Sequence, residues 1–283
     1  MHALAEFIMR GRLQAGTVAV LGYLIPLLAP AAVALVTLRK GAAEGSMMVL
    51  FGLSPALLSL VLGDGSSVVV WITWLSLMVV YVPALILRST ISLSMMVMSA
   101  MMTAAAVTLA VLLFAPDSVT KLVDSLVGQL MVLEGGELGD SQEPLSTLVS
   151  QSGVSGMIGY VLAFNSVVGV LLGRWLQSLV VNPGGFGSEF RELRLSVGVA
   201  TLCFLASVLL RYQGDEYWWW SNIFAIPLVL VAIAVAHDVA KCKQLAMPWL
   251  ILFYFSALIF MPMIMCVGFI DTWINFRNRL RQQ

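Results

Sequence analysis

The sequence predicts an all-α fold, a polytopic transmembrane helical bundle of roughly eight to ten membrane segments, some short and proline-broken. Composition and patterning lead to it. Of 283 residues, 60% are hydrophobic and only 11% are charged, against about 25% charged in soluble domains. Mean hydropathy is +0.97. The apolar residues gather in runs near the length of about 20 that crosses a bilayer. Such a chain cannot coat a soluble globule with polar groups, so a cytosolic enzyme, a disordered chain and a secreted disulfide scaffold are excluded. The 15 basic and 15 acidic residues balance. With no basic excess to release counterions, nucleic acid is not an expected partner; the lipid bilayer is. Cys203, Cys242 and Cys266 are scattered, without a CxxC, and read as packing residues.

The chain opens with a choice between one span over 14–38 and a hairpin of short helices, Leu4–Leu24 and Pro26–Leu38, broken at Ile25-Pro26. Proline is favoured at a first helical position and disfavoured inside a helix. The hairpin also keeps Arg39 and Lys40 on the side of the N-terminus, so it is the expected form. Apolar segments follow at Ser46–Leu62, Val68–Leu87 and Ile91–Phe114, with a tight turn at Gly63-Asp64-Gly65 between the first two and Arg88-Ser89-Thr90 separating the second from the third. Residues 115–153 form one long acidic insert. Within it Val119, Leu122, Val123, Leu126, Leu130 and Leu133 keep helical spacing behind Pro116-Asp117, which predicts an amphipathic helix with Asp117 as its cap. Glu134–Gln151 reads as loop. Spans are expected at Val154–Val181, Leu195–Leu210 and Ile223–Ala240, and an apolar segment at Met247–Trp273. A glycine-rich turn, Asn182–Gly187, and a polar stretch to Arg194 link the first two. Arg211–Asn222 carries an interfacial Trp218-Trp219-Trp220 cluster. The whole chain reads as a single transmembrane domain.

Lysine and arginine in short loops mark the cytoplasmic side. With the N-terminus inside, Arg39/Lys40, Arg88, Arg191/Arg194 and Lys241/Lys243 all fall inside. Asp64, the acidic insert and the Trp cluster fall outside. The C-terminal arginines agree only if the last apolar segment turns back at Pro262, which is the expected path.

Arginines within or beside apolar runs are the candidate ligand residues, because a guanidinium in lipid needs a cavity or an acidic partner. Arg10 and Arg12 follow Glu6, which is four residues before Arg10 on one helical face. The alternative reading is that they snorkel to headgroups. Arg174 and Gln177 lie near a span end, after a Gly169/Gly173 GxxxG that permits close helix approach. Asp271 closes the last apolar segment, with Arg277 or an opening arginine as its partner. Asn182, Gly184, Gly185 and Phe186 form either a cytoplasmic contact, with backbone N–H groups able to nest an anion, or a plain turn. No GxxxxGK[ST] is present, neither His2 nor His237 has a metal-ligand companion, and no metal or cofactor is expected. Met95, Met96, Met98, Met101 and Met102 read as adaptable packing rather than a Cu(I) relay. The Gly153-Val154-Ser155-Gly156 stretch with His237 resembles a rhomboid protease dyad. However, the expected topology sets these two residues at opposite faces, so catalysis is not expected.

Three patches carry a wider resemblance. They are Leu4-Ala5-Glu6-Phe7-Ile8-Met9-Arg10-Gly11-Arg12-x-Gln14-Ala15; Gly173-Arg174-Trp175-x-Gln177 with Asn182-Pro183-Gly184-Gly185-Phe186; and Gly268-Phe269-Ile270-Asp271-Thr272-Trp273 with Phe276-Arg277. They resemble the proteobacterial branch of the YybS-like family of bacterial inner-membrane proteins. That family is distantly similar to the substrate-binding membrane subunits of energy-coupling-factor transporters. The resemblance implies an inner-membrane protein that binds an unknown small molecule as a transport subunit, with separate ATPase and coupling subunits as partners. The alternative is a non-transporting membrane scaffold or assembly partner.

Overall fold

The computed structural model describes residues 1–63, 67–133 and 150–281, and these residues are all-helical, with no strand among them. Residues 134–149 of the expected loop, with Glu134, Glu137, Asp140 and Glu143, lie outside the described residues, as does Asp64. Five helices are long and apolar enough to cross a membrane: Ala42–Val61, Val69–Thr90, Leu93–Phe114, Gln151–Val181 and Asp215–Cys242. A bent pair near the C-terminus makes a sixth if taken as one span. This is a multi-pass membrane protein. The other predicted segments are shorter than a full span. The chain divides into two compact units, residues 1–104 with 161–190, and 105–160 with 191–283.

The first unit holds α1 (His2–Arg10), α2 (Arg12–Leu21), α3 (Leu28–Lys40), α4 (Ala42–Val61) and α5 (Ser67–Thr90), with parts of α6 (Leu93–Phe114) and α8 (Gln151–Val181) and most of α9 (Gly185–Arg191). The expected opening hairpin is present, but its first arm is not one helix. Gly11 adopts extended backbone (φ −169°, ψ 172°) and splits it into α1 and α2. Pro26 falls in the connecting turn, and Pro30 occupies the first turn of α3, where no intrahelical N–H is needed. With 10 and 13 residues, α2 and α3 are about 15 and 20 Å long, well short of a bilayer core. Every residue of α3 from Ala29 to Leu38 is buried, so this helix is the core of the unit. Small residues allow that. Cβ atoms added at Gly169 or Gly173 of α8 would stand 2.5 Å from Pro30 Cβ and 2.7 Å from Ala34 Cβ, so the GxxxG is the seat of α3.

The basic ends of this unit meet. Arg88 at the end of α5 donates to the Leu38 carbonyl at 2.6 Å, and Arg12 pairs with Glu44 just past Lys40. The Arg88 guanidinium supplies a cation and donors where the C-terminal carbonyls of α3 lack partners. Arg12, Arg39/Lys40 and Arg88 therefore share one end, as a single-sided placement of basic loops requires.

The second unit comprises α7 (Pro116–Leu133), α10 (Val197–Tyr212), a 3₁₀ turn (Asp215–Tyr217), α11 (Trp218–Cys242), α12 (Met247–Ile259), α13 (Met261–Ile274) and α14 (Phe276–Arg281), with the remaining parts of α6 and α8. The amphipathic insert helix is present as α7. Pro116 starts it, and Asp117 lies in its first turn rather than at the cap. The Trp cluster is the first turn of α11 rather than loop. Trp220 Nε1 donates to the Ser152 carbonyl at 3.0 Å, which brings the end of the acidic insert and the Trp cluster together. Helix α11 is the core, packed between α10 and α13. Gly268 of α13 sits against the Leu228 backbone of α11, leaving no room for a side chain. The last apolar segment breaks at Phe260 and bends by 112°, with Pro262 in the first turn of α13. The chain thus turns back near Pro262, and the C-terminal arginines return to the end that holds Arg191 and Arg194.

Candidate functional site

The arginines singled out in the sequence have different fates. Arg10 is exposed. Glu6 lies 3.5 Å from His2 instead of pairing with Arg10. Arg12 is also exposed, and its Nε is 3.0 Å from both Glu44 carboxylate oxygens. The Gly11 break explains this: it places Arg12 at the start of a helix, free to reach out, rather than in the middle of a submerged one. Arg174 is half-buried. Its Nε donates to Glu189 Oε2 at 2.9 Å and its Nη1 to Gln177 Oε1 at 2.7 Å. Sequence reasoning brought Arg174 and Gln177 together and missed Glu189. Among the described residues, no hydrogen bond or ion pair joins Arg10 or Arg12 to Arg174.

The glycine-rich turn is shorter than expected. Only Asn182, Pro183 and Gly184 are non-helical. Gly184 has φ +85°, a conformation that suits glycine. Gly185 already starts α9, and its N–H donates to the Asn182 carbonyl at 3.0 Å. Gly185 is thus already bonded in place rather than part of an open nest. Phe186 stacks on Phe190 with ring centroids 5.9 Å apart.

Asp271 proves to be the organising acid of the second unit. Asn275 in the left-handed region (φ 53°) ends α13 and folds α14 back, so Arg277 lies over the carboxylate six residues before it. Arg277 Nε and Nη2 donate to Asp271 Oδ2 at 3.1 and 2.8 Å. Its Nη1 and Nη2 also donate to the carbonyls of Arg191 and Leu193, at 2.5 and 2.9 Å. Arg277 is 4% and Asp271 2% exposed, so the pair is removed from water, and its directional bonds offset the desolvation cost. Arg194 Nη2 donates to the Thr272 carbonyl at 2.9 Å, and Arg191 Nε approaches buried Asp238 to 4.0 Å. Three arginines and two aspartates thus meet where α9 ends and α10, α11 and α13 converge. Of the two partners considered for Asp271, the structure selects Arg277.

At the other end of the same helices lies a cavity of about 280 Å³ between α10, α11 and the start of α13. Its walls are mainly apolar, with Val208, Ala225 and Met265 among them. Ser207 and Ser221 are buried beside it with hydroxyl oxygens 3.1 Å apart. Arg211 is exposed, bonded to Asp215 at 2.8 Å, and lies 4.0 Å above the Trp218 ring. The Ser155 hydroxyl donates to the Ser152 carbonyl, and His237 Nε2 bonds the Tyr254 hydroxyl at 2.7 Å. Ser155 lies level with Trp220, whose indole reaches Ser152, while His237 is a further 17 residues along α11, about 25 Å. No proton can pass directly between them. The methionines of α6 divide between buried Met96 and Met101 and exposed Met95 and Met102.

No protein-family model, curated protein or solved structure matches the chain.

Proposed function

We propose that this multi-pass membrane protein is a small-molecule-binding subunit of a bacterial inner-membrane transport system, with its N-terminus in the cytoplasm and a YybS-like affiliation. The observation that carries the reading is the cavity beside Ser207 and Ser221. Pockets for small molecules are apolar hollows of about 300 Å³ and upward with a few polar groups placed to orient the ligand. This one lies near that lower bound and combines apolar walls with two serines, Asn222 and Arg211. It opens at the end that the loop charges assign to the outer side, where a subunit for uptake meets its cargo. Arg12 and Arg174 each already face a carboxylate, so the ligand is placed here rather than at those residues. The chain contains no P-loop, so ATP-driven transport requires separate ATPase and coupling subunits.

The test is purification in detergent, followed by mass spectrometry of the small molecules that co-elute. Wild type should carry one that the cavity-filling variant Ala225→Leu lacks, at unchanged elution volume. Equal retention by both, or none by either, overturns the reading and favours the scaffold alternative. The exposed apolar residues Met247, Ile251, Leu252 and Phe255 of α12 would then offer a face for a membrane partner.

A further inference from the structure

The charged cluster at the far end of the second unit carries more than its internal pairing. Beside it is a pocket of about 120 Å³ whose lining, among the described residues, is polar: Arg191, Glu192, Arg194, Asn275, Arg277 and Asn278. A water occupies about 30 Å³, so the space suits one tetrahedral oxyanion. Its donors are not all engaged. Arg194 is held through Nη2 on the Thr272 carbonyl, yet among the described residues its buried Nε has no acceptor. Arg191 reaches Asp238 only at 4.0 Å. Asn275 and Asn278 bring side-chain amides. Arg277 is fixed by Asp271, Arg191 and Leu193 and does not need to move. Three acids oppose an anion here, and one of them, buried Asp238, stands 4.0 Å from Arg191. Among the described residues Asp271 keeps one buried oxygen, Oδ1, without a donor, but its other oxygen receives both Arg277 bonds. Glu192 is exposed at the rim, where water screens it.

We propose that this pocket binds a phosphate group through Arg191 and Arg194. An oxyanion is the ligand class that guanidinium and side-chain amide donors around a small polar pocket recognise, and guanidinium–phosphate pairs are among the stronger hydrogen-bonded contacts. Basic pockets among helices at the cytoplasmic rim commonly take lipid headgroups, and free phosphate offers the same chemistry. The site is separate from the apolar cavity and does not depend on it.

The experiment uses the full chain in detergent. Inorganic phosphate is titrated against chloride at matched ionic strength with thermal unfolding as readout. In parallel, native mass spectrometry follows retention of phosphatidylglycerol and phosphatidylcholine. A midpoint rise with phosphate identifies a soluble phosphate ligand; selective retention of phosphatidylglycerol without that rise identifies a headgroup. In either case Arg194→Gln should weaken binding roughly tenfold or more, the effect of losing one charge-assisted hydrogen bond. Glu192→Gln, at an exposed position, should strengthen it, which a purely structural role for these residues does not predict. Should Arg194→Gln fail to fold, Asn278→Ala, also exposed, takes its place with a smaller loss. Binding of neither probe, or binding unchanged in Arg194→Gln, Asn278→Ala and Glu192→Gln, overturns the proposal.

Discussion

Near its start the chain pairs the short helices α2 and α3, and near its end α12 and α13, and beside each pair an arginine meets a carboxylate. In the opening pair, Arg12 meets Glu44 with its side chain 63% exposed. In the closing pair, Arg277 meets Asp271 with its side chain 5% exposed. The sequence around them suggests the reverse, since Arg12 lies beside a long apolar run and Arg277 in a polar tail. What decides burial is the backbone. The extended Gly11 releases Arg12 at a helix start, whereas the left-handed Asn275 folds α14 onto α13 and brings Arg277 under three acceptor groups. An arginine flanked by apolar residues is therefore not itself a sign of a buried site; a helix terminus that aims it inward is.

The contrast can be broken at its strong end first. Arg277→Ala leaves Asp271 buried without its cation and should cost about 3–5 kcal/mol, read as a lower unfolding midpoint in detergent. A loss no larger than that of an exposed pair would end the distinction. Next, Gly268→Ala in the closing pair places a Cβ on the rigid Leu228 carbonyl and should cost about 1–3 kcal/mol. The opening counterpart Gly16→Ala should cost less, because its Cβ meets only the Phe51 ring at 3.1 Å and a ring can shift. Equal losses would show that crowding is alike in the two pairs. Arg174→Ala is an intermediate case. Its partner Glu189 is partly exposed, and the expected loss is about 1 kcal/mol after screening. At the weak end, Arg12→Ala should leave the midpoint unchanged within error, in low and high salt alike. A clear drop at low salt would make Arg12 a structural anchor after all.

Periodicity and proline made much of this arrangement legible. The amphipathic α7, the turn near Pro262 and the close approach through Gly169 and Gly173 all follow from spacing rules that act locally. The break at Gly11 did not, because a lone glycine between two arginines is compatible with a continuous helix, and Glu44, which meets Arg12 once the helix breaks, lies 32 residues away in sequence. The charged cluster was only half visible. Asp271 stood out as an acid closing an apolar run, but Arg191 and Arg194 read as ordinary cytoplasmic loop charges, and they lie more than 80 residues from Arg277 in sequence. The available signal was that Asp238 and Asp271, both near the ends of apolar helices, fall on the side that the basic loops share.

Helix α3 has one further consequence, for biogenesis. It is enclosed on every side, and the groove that receives Pro30 and Ala34 belongs to a helix whose Gly169 and Gly173 are translated about 140 residues later. At ordinary ribosome speeds that interval is on the order of ten seconds. During it the alanine-rich rod has no finished seat. It must wait against α2, α4 and α5 or in the care of the insertion machinery, so a ribosomal pause or truncation before Gly169 should yield a nascent chain whose first forty residues remain open to protease.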